Sequence, residues 1–295
     1  MASMNIRYVK RAIPEGLGSQ IKTLAVLIPF AEKFDLKVIS DARTFPYFRN
    51  RGASFLSDDK LAQLLEFHPR IIYNSKQIDS VDKSEVFDLY HWETHHQILD
   101  WLICESEARG TWNEIVNNPN RSDEPRSCPT QLPIRIKDRE LIKKYESRIR
   151  NSIAVHARLG NGETNKKGEK IGRMAVKDDK FIEEMKKYDE DFFVCSDTFE
   201  FIEKCERIFG DRVFYMDRNR TPEGLGAGYM PNEEHFKNGQ VSKEISGYVS
   251  NQWDNFYEAL AEMELLSKGK HLIHNSSGFI SFALKNCPHT DLWKR

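Results

Sequence analysis

The chain has 295 residues, enough for two domains of ordinary size with cores of their own. Its 44 basic and 45 acidic residues leave a formal net charge of −1. No overall field therefore draws it to a nucleic acid or an anionic membrane, and any anion site has to be local.

Asn5 to Val9 alternates as a first strand, after which Pro14, Gly16 and Gly18 break it and Ser19 is placed to cap a helix reaching about Phe34. The two glycines let a backbone approach a ligand, or simply make the turn; the residues alone leave both open. The longest apolar stretch, around Leu24 to Ala31, contains Pro29 and is too short for a membrane span or a signal peptide. The expectation is a soluble, unprocessed, cytoplasmic chain, with peripheral membrane association left open. Five cysteines, at 104, 128, 195, 205 and 287, are scattered without metal-ligand spacing, which fits reduced thiols.

Leu36 to Ile39 is the second expected strand. The loop from Asp41 to Gly52 mixes Arg43, Arg49 and Arg51 with Phe45, Tyr47 and Phe48. Aromatic faces stack on sugar rings and arginines reach hydroxyls, so Arg43, Tyr47 and Phe48 are candidate acceptor contacts; equally, they fill the edge of a core. Ile71 to Tyr73 reads as a strand and Thr94 to Glu107 as a helix. Just ahead of that helix His91, Glu93, His95 and His96 lack a His-Glu-x-x-His pattern and read as surface histidines rather than a metal site.

The polar, proline-rich run from Asn117 to Pro133 marks a surface connection and divides the chain into residues 1–133, an α/β domain, and 134–295, a second domain. The second part then alternates: helix Asp138 to Ile149, strand Ile153 to Val155, helix Asp178 to Lys187, strand Phe192 to Cys195, helix Thr198 to Phe209, strand Arg212 to Tyr215. Such alternation predicts a parallel sheet with right-handed crossovers. Asp217 to Trp253 lacks a periodic core pattern, a long loop suited to covering a cleft or touching an acceptor. Helix Phe256 to Ser267, with Gly269 as its stop, strand Lys270 to His274, and the turn Asn275 to Gly278 into a last helix complete the chain.

Three strand ends carry polar groups: His156 to Glu163, Ser196-Asp197 and Asn275 to Gly278. In an open parallel sheet such ends share one crevice. Arg158 is placed to grip a phosphate bidentately, and Gly160, Asn161 and Gly162 let backbone amides approach an anion. Ser276 and Ser277 present hydroxyls to a phosphate, or cap the helix after them. Glu163 gains nothing beside a polyanion as a ligand, so its useful role is accepting a proton, against the alternative of a solvated loop carboxylate. Asp189-Glu190-Asp191 spells a metal motif but precedes its strand, at the wrong end of the sheet, and no metal site is expected.

The string His156-Ala157-Arg158-Leu159-Gly160-Asn161-Gly162-Glu163 resembles the His-x-Arg-x-Gly-Asn-Gly-Glu signature of bacterial nodulation-type α-1,6-fucosyltransferases, relatives of the eukaryotic core fucosyltransferases. Gly16 to Gln20, Ser196-Asp197 and Ala259 to Ser277 extend the likeness over most of the chain, with Ser19 where many fucosyltransferases carry Asn. The resemblance implies an α/β fold of the GT-B type, two Rossmann-like domains facing a cleft. It implies inverting, metal-independent transfer of L-fucose from GDP-fucose to an oligosaccharide or glycolipid hydroxyl, without a cofactor. Arg158 would hold the β-phosphate, His156 and Glu262 would recognise guanine, and Gly18, Gly160, Asn161, Ser196, Asp197, Asn275, Ser276 and Ser277 would surround the donor, with Glu163 as base. Another GDP-sugar transferase of the same architecture, or a binding protein without turnover, is the alternative.

Overall fold

The computed structural model of the protein describes residues 7–11, eight positions between 18 and 32, residues 35–41, 58–89, 132–159, 176–217, 236–237, 240–241, 252–280 and 282–294. The chain opens with strand β1 (Tyr8–Arg11), followed by helix α1, whose described residues lie between 18 and 32, and strand β2 (Lys37–Ile39). Ile21, Leu24, Ala25, Ile28 and Ala31 recur at helical spacing and are all buried, so the run that was too short to cross a membrane is the core face of α1. Gly18 is already helical, one position before the expected cap at Ser19.

Helix α2 (Asp58–Leu64) leads directly into β3 (Leu65–Phe67), then β4 (Ile71–Ile72), helix α3 (Ser75–Asp79) and β5 (Val86–Leu89). The strands β4-β2-β1-β5 form one sheet with every pair parallel. In order of appearance that is 3-2-1-4, the winding of a dinucleotide-fold half, with its reversal of direction between β1 and β5.

Strand β6 (Ile134–Ile136) pairs antiparallel with β3, so the segment just past the expected division at Pro133 is hydrogen-bonded to the segment well before it. Helix α4 (Arg139–Ile149) starts where Asp138 accepts the Glu140 and Leu141 amides. Strand β7 (Ile153–Ala157), helix α5 (Asp178–Met185), strand β8 (Phe192–Ser196), helix α6 (Phe199–Phe209) and strand β9 (Val213–Phe214) follow in the anticipated alternation. Within the stretch expected as an unpatterned loop, β10 (Phe236–Lys237) and β11 (Gln240–Val241) pair antiparallel, and α7 (Gln252–Leu266) begins four residues before Phe256. Strand β12 (His271–His274), the short helix α8 (Ala283–Asn286) and β13 (His289–Asp291) end the fold.

The second sheet runs β13-β12-β7-β8-β9, all parallel, which is 5-4-1-2-3 in order of appearance and repeats the first winding with one strand more. All five residues of β7 and of β8 are buried, as strands covered on both faces must be. Ile153, Val155 and Ala157 pack with Phe181, Ile182, Phe201 and Cys205 of α5 and α6. On the other face Ala154, Phe193 and Cys195 join the core of α4, α7 and the first sheet, which includes Val9, Val38 and Leu260. Gly269 does not stop α7 by a left-handed turn; among the described residues only Gly210 is a glycine with positive φ. Its hydrogen is needed because a Cβ there would sit 3.0 Å from the Cβ of Ala154. Cys195, Cys205 and Cys287 are free and buried, and burial pushes the Cys205 thiol up to about 12 and that of Cys287 to about 11, so neither is a nucleophile at neutral pH. Cys104 and Cys128 lie outside the described residues.

One buried carboxylate pins α7 to the layer below. Glu264, 4% exposed, takes a hydrogen bond of 2.8 Å from Arg139 Nη1, a second from Arg139 Nη2, and a longer one of 3.4 Å from Arg135. Burial raises the Glu264 carboxyl, but the Arg139 hydrogen bonds and the charges of Arg139, Arg135 and Lys268 outweigh it and hold it below its ordinary value. A carboxyl depressed by folding contributes stability above its unfolded range and loses it as pH falls through the folded value. Urea midpoints taken from about pH 6 down to pH 3 should therefore fall more steeply for the wild type than for Glu264→Gln. At pH 7 Glu264→Ala should cost about 2–3 kcal/mol, less than for a fully buried pair because Arg139 keeps part of its hydration.

Candidate functional site

The second sheet reverses its winding between β7 and β12, so the helices leaving those neighbours diverge and a crevice opens beyond their carboxyl ends. Arg158 follows β7 and Asn275 follows β12. The Asn275 carboxamide closes on the Arg158 peptide from both sides: its Oδ1 accepts the Arg158 N–H at 3.1 Å and its Nδ2 donates to the Arg158 carbonyl at 2.9 Å. One residue on, the Leu159 N–H donates to Asp197 Oδ1 at 2.8 Å. The three strand ends singled out from sequence are thus sewn together by side chains, each supplying what a neighbouring strand no longer can.

This places Asn275 and Asp197 as supports of the loop after β7. Ser196 is 2% exposed and its Oγ accepts the Thr198 N–H at 3.2 Å, holding the turn after β8. The Arg158 guanidinium, in contrast, makes no hydrogen bond or ion pair among the described residues, and its Nε is buried without a partner there. A half-buried guanidinium on a fixed backbone, with donors unused among the described residues, is chemically able to take an anion.

The turn after β12 is built from its own side chains. Ser276 stands in the left-handed region at φ 61°, and its N–H donates to His274 Nδ1 at 3.0 Å. Ser277 Oγ accepts the Phe279 N–H at 3.1 Å, so that hydroxyl is spent on capping, while Ser276 Oγ makes no hydrogen bond among the described residues. The last helix expected here is a three-residue 3-10 turn, Gly278–Ile280, with the four-residue α8 after it, too short for a substantial dipole.

His156, 7% exposed, lies beside His274 in register and stacks on Phe279, with ring centroids 5.3 Å apart and planes at 18°. Gly18 presses on the same turn from α1. A Cβ at that position would fall 2.4 Å from Phe279 N and 2.8 Å from Gly278 C, which ties the first β-α unit to the second sheet's crevice. Glu262 is fully buried on α7, a helix packed against β7, β8 and the 3-10 turn. Gly160, Asn161 and Glu163, and the acceptor candidates Arg43, Tyr47 and Phe48, lie outside the described residues, as do His91, Glu93, His95 and His96.

His274 and Phe279 were not anticipated. The only signal was a histidine two places before a serine at a strand's end. Burial pushes the His274 imidazole down to about 4, the Asp291 charge pulling the other way, so it is neutral at pH 7, as an Nδ1 acceptor has to be. Asp191, the last of the Asp189-Glu190-Asp191 run, sits at the amino end of β8, where Arg148 Nε donates to it at 2.7 Å, the opposite end of the sheet from Arg158. Among the described residues no group of three His, Cys, Asp or Glu side chains is arranged to hold a metal, and no helix is long and apolar enough to cross a membrane.

The two doubly wound parallel sheets define an α/β fold of the GT-B type. No protein-family model and no curated protein sequence matches the chain. Solved structures do: a NodZ alpha-1,6-fucosyltransferase soaked with GDP-fucose is similar over 97% of this chain and 94% of its own, at 15% identity and a TM-score of 0.55. NodZ from Bradyrhizobium (17% identity, 97% and 96% covered, TM-score 0.47) and POFUT1 in complex with GDP-fucose (12%, 98% and 99%, 0.48) are also similar. At such identities the likeness is one of fold, and the NodZ structure soaked with GDP-fucose carries it.

Because the atoms facing Gly18 are backbone, they cannot swing aside as a side-chain tip would. Gly18→Ala should lower stability by about 1–3 kcal/mol, read from the urea midpoint, with Gly18→Ser no better.

Proposed function

We propose that the protein is a GDP-fucose-dependent glycosyltransferase that moves L-fucose, with inversion, to a hydroxyl of an oligosaccharide or glycoconjugate. The observation that carries this reading is the Arg158 guanidinium: held at the winding reversal of the second sheet, with a buried Nε and no carboxylate partner among the described residues. Negative charge gathers on the diphosphate as the sugar leaves, and a fixed guanidinium stabilises that charge more than it stabilises the bound donor. Ser276 Oγ is the second group of the crevice with a donor to spare. The fold likeness to a fucosyltransferase crystal soaked with GDP-fucose supports the choice of donor.

In this reading residues 134–295 hold the donor and residues 1–133 the acceptor. His156, oriented by Phe279, and buried Glu262 flank the place for the base, where a carboxylate accepts two donors from a guanine edge. Asn161 and the amide of Gly160 line the diphosphate, and Arg43, Tyr47 and Phe48 meet the acceptor. Glu163 takes the acceptor proton as the new bond forms. Charge neutralisation by Arg158 leaves no role for a divalent cation, and the site of action is the cytoplasm of a bacterial cell.

With GDP-fucose and a chitin-type oligosaccharide, transfer is expected to persist in EDTA, and Arg158→Ala to lower kcat by ~10²–10³ while the fold is kept. Loss of transfer in EDTA with recovery on manganese would contradict the metal-independent part; absence of GDP binding by calorimetry would contradict the whole. Glu163→Ala should leave GDP affinity unchanged and lower kcat by ~10²–10⁴, flattening the acid limb of the pH–rate profile. Unchanged turnover would remove Glu163 as the base.

A further inference from the structure

We propose that His274 is a positioning residue for the donor diphosphate, acting through the backbone of Ser276. The inference rests on the donor reading above and adds a residue to which that reading gives no role.

Three facts meet at this ring. Ser276 occupies left-handed backbone space at φ 61°, a conformation disfavoured for a residue with a Cβ and held only where its surroundings over-determine it. The bond that holds it is the 3.0 Å contact from its N–H to His274 Nδ1. The imidazole itself is 1% exposed, and its Nε2 has no hydrogen-bond partner among the described residues, so its one close polar contact is spent on Ser276.

The ring is confined on its other sides. It stands in register between His156 of β7 and Asp291 of β13, with the His289 ring 5.3 Å away and Asp291 Oδ1 3.8 Å from Nδ1. The acceptor nitrogen therefore stays where Ser276 needs it. Ser276, at φ 61°, directly follows the Asn275 whose side chain holds the backbone N–H and C=O of Arg158. His274 and Asn275 thus fix the two anion-binding groups of the crevice through one dipeptide: Asn275 fixes Arg158 across the sheet, and His274 fixes Ser276 along the chain. A Ser at position 274 has a shorter reach, and an apolar residue offers no acceptor.

The test compares His274→Asn, whose Oδ1 falls near the place of Nδ1, with His274→Leu, which fills the space without an acceptor. GDP affinity by calorimetry and kcat and KM for GDP-fucose are measured on protein whose folded fraction is known from urea unfolding. His274→Asn should stay within about threefold of wild type in GDP affinity, while His274→Leu should weaken GDP and raise KM about tenfold with kcat changed much less. Equal loss in both variants, or no loss in His274→Leu, would overturn the inference while wild-type GDP binding leaves the donor reading standing. If wild type binds no GDP, the donor reading itself is lost. Should His274→Leu fail to fold, nitrogen-15 NMR of wild type decides. A coupling through the hydrogen bond between Ser276 N and His274 Nδ1, and movement of the Ser276 amide on adding GDP, are expected; an absent coupling or an unmoved amide refutes the role.

Discussion

The arrangement of this crevice depends on one side-chain amide closing over the backbone N–H and C=O of one residue. Where a parallel sheet reverses its winding, the residue just past the central strand loses the neighbour that would have satisfied its N–H and C=O. Only a side chain with a donor and an acceptor on adjacent atoms can replace both at once, and Asn275 does so for Arg158. With Asp197 taking the next N–H, the chain leaving β7 is held for two residues without any strand beside it. The Arg158 guanidinium, by contrast, makes no hydrogen bond or ion pair among the described residues.

The layers beneath make this fixed point rigid. β7 and β8 are covered on both faces, and the residues chosen where elements approach most closely are the smallest available: Gly269 against Ala154 below, Gly18 against Phe279 above. A Cβ at Gly18 would collide with backbone of the turn after β12, and one at Gly269 would crowd Ala154 of β7. Glu264 adds the lateral constraint, since its bonds to Arg139 and Arg135 tie α7 to α4 and β6, the same helix that carries Glu262 against the central strands.

Much of this was legible in sequence because parallel sheets advertise themselves. Short runs such as Phe192 to Cys195 and Ile153 to Val155, apolar on both faces and spaced by amphipathic helices, allow little besides strands of a doubly wound sheet, and the polar residues after them had to share an edge. What sequence did not reveal has physical causes too. β3 and β6 are three-residue strands whose pairing depends on a partner some seventy positions away, a contact with no local signature. Gly269 looked like a helix stop because glycine serves both left-handed turns and close packing, and only coordinates distinguish the two. Asn275 and Asp197 were visible as polar residues at the right place, but a residue's type does not say whether its side chain faces a ligand or the backbone next door.

The contrast among arginines carries the argument one step further. Arg70 pairs with Asp35, Arg148 with Asp191, Arg150 with Glu146, and Arg135 and Arg139 share Glu264. In a chain with one more acidic than basic residue, a carboxylate partner is easily found, and the exposed pairs among these, unlike those of buried Glu264, form at little gain or loss. Arg158 is half-buried, as Arg70, Arg135 and Arg139 are, and has no carboxylate partner among the described residues, while Asp197 Oδ1 accepts the Leu159 amide. Burying part of a guanidinium without an acceptor is costly, on the order of 1–3 kcal/mol for the donor alone. Asp197 Oδ1 instead fixes the neutral Leu159 amide, so at this strand end a carboxylate secures the backbone while the guanidinium beside it makes no ion pair among the described residues.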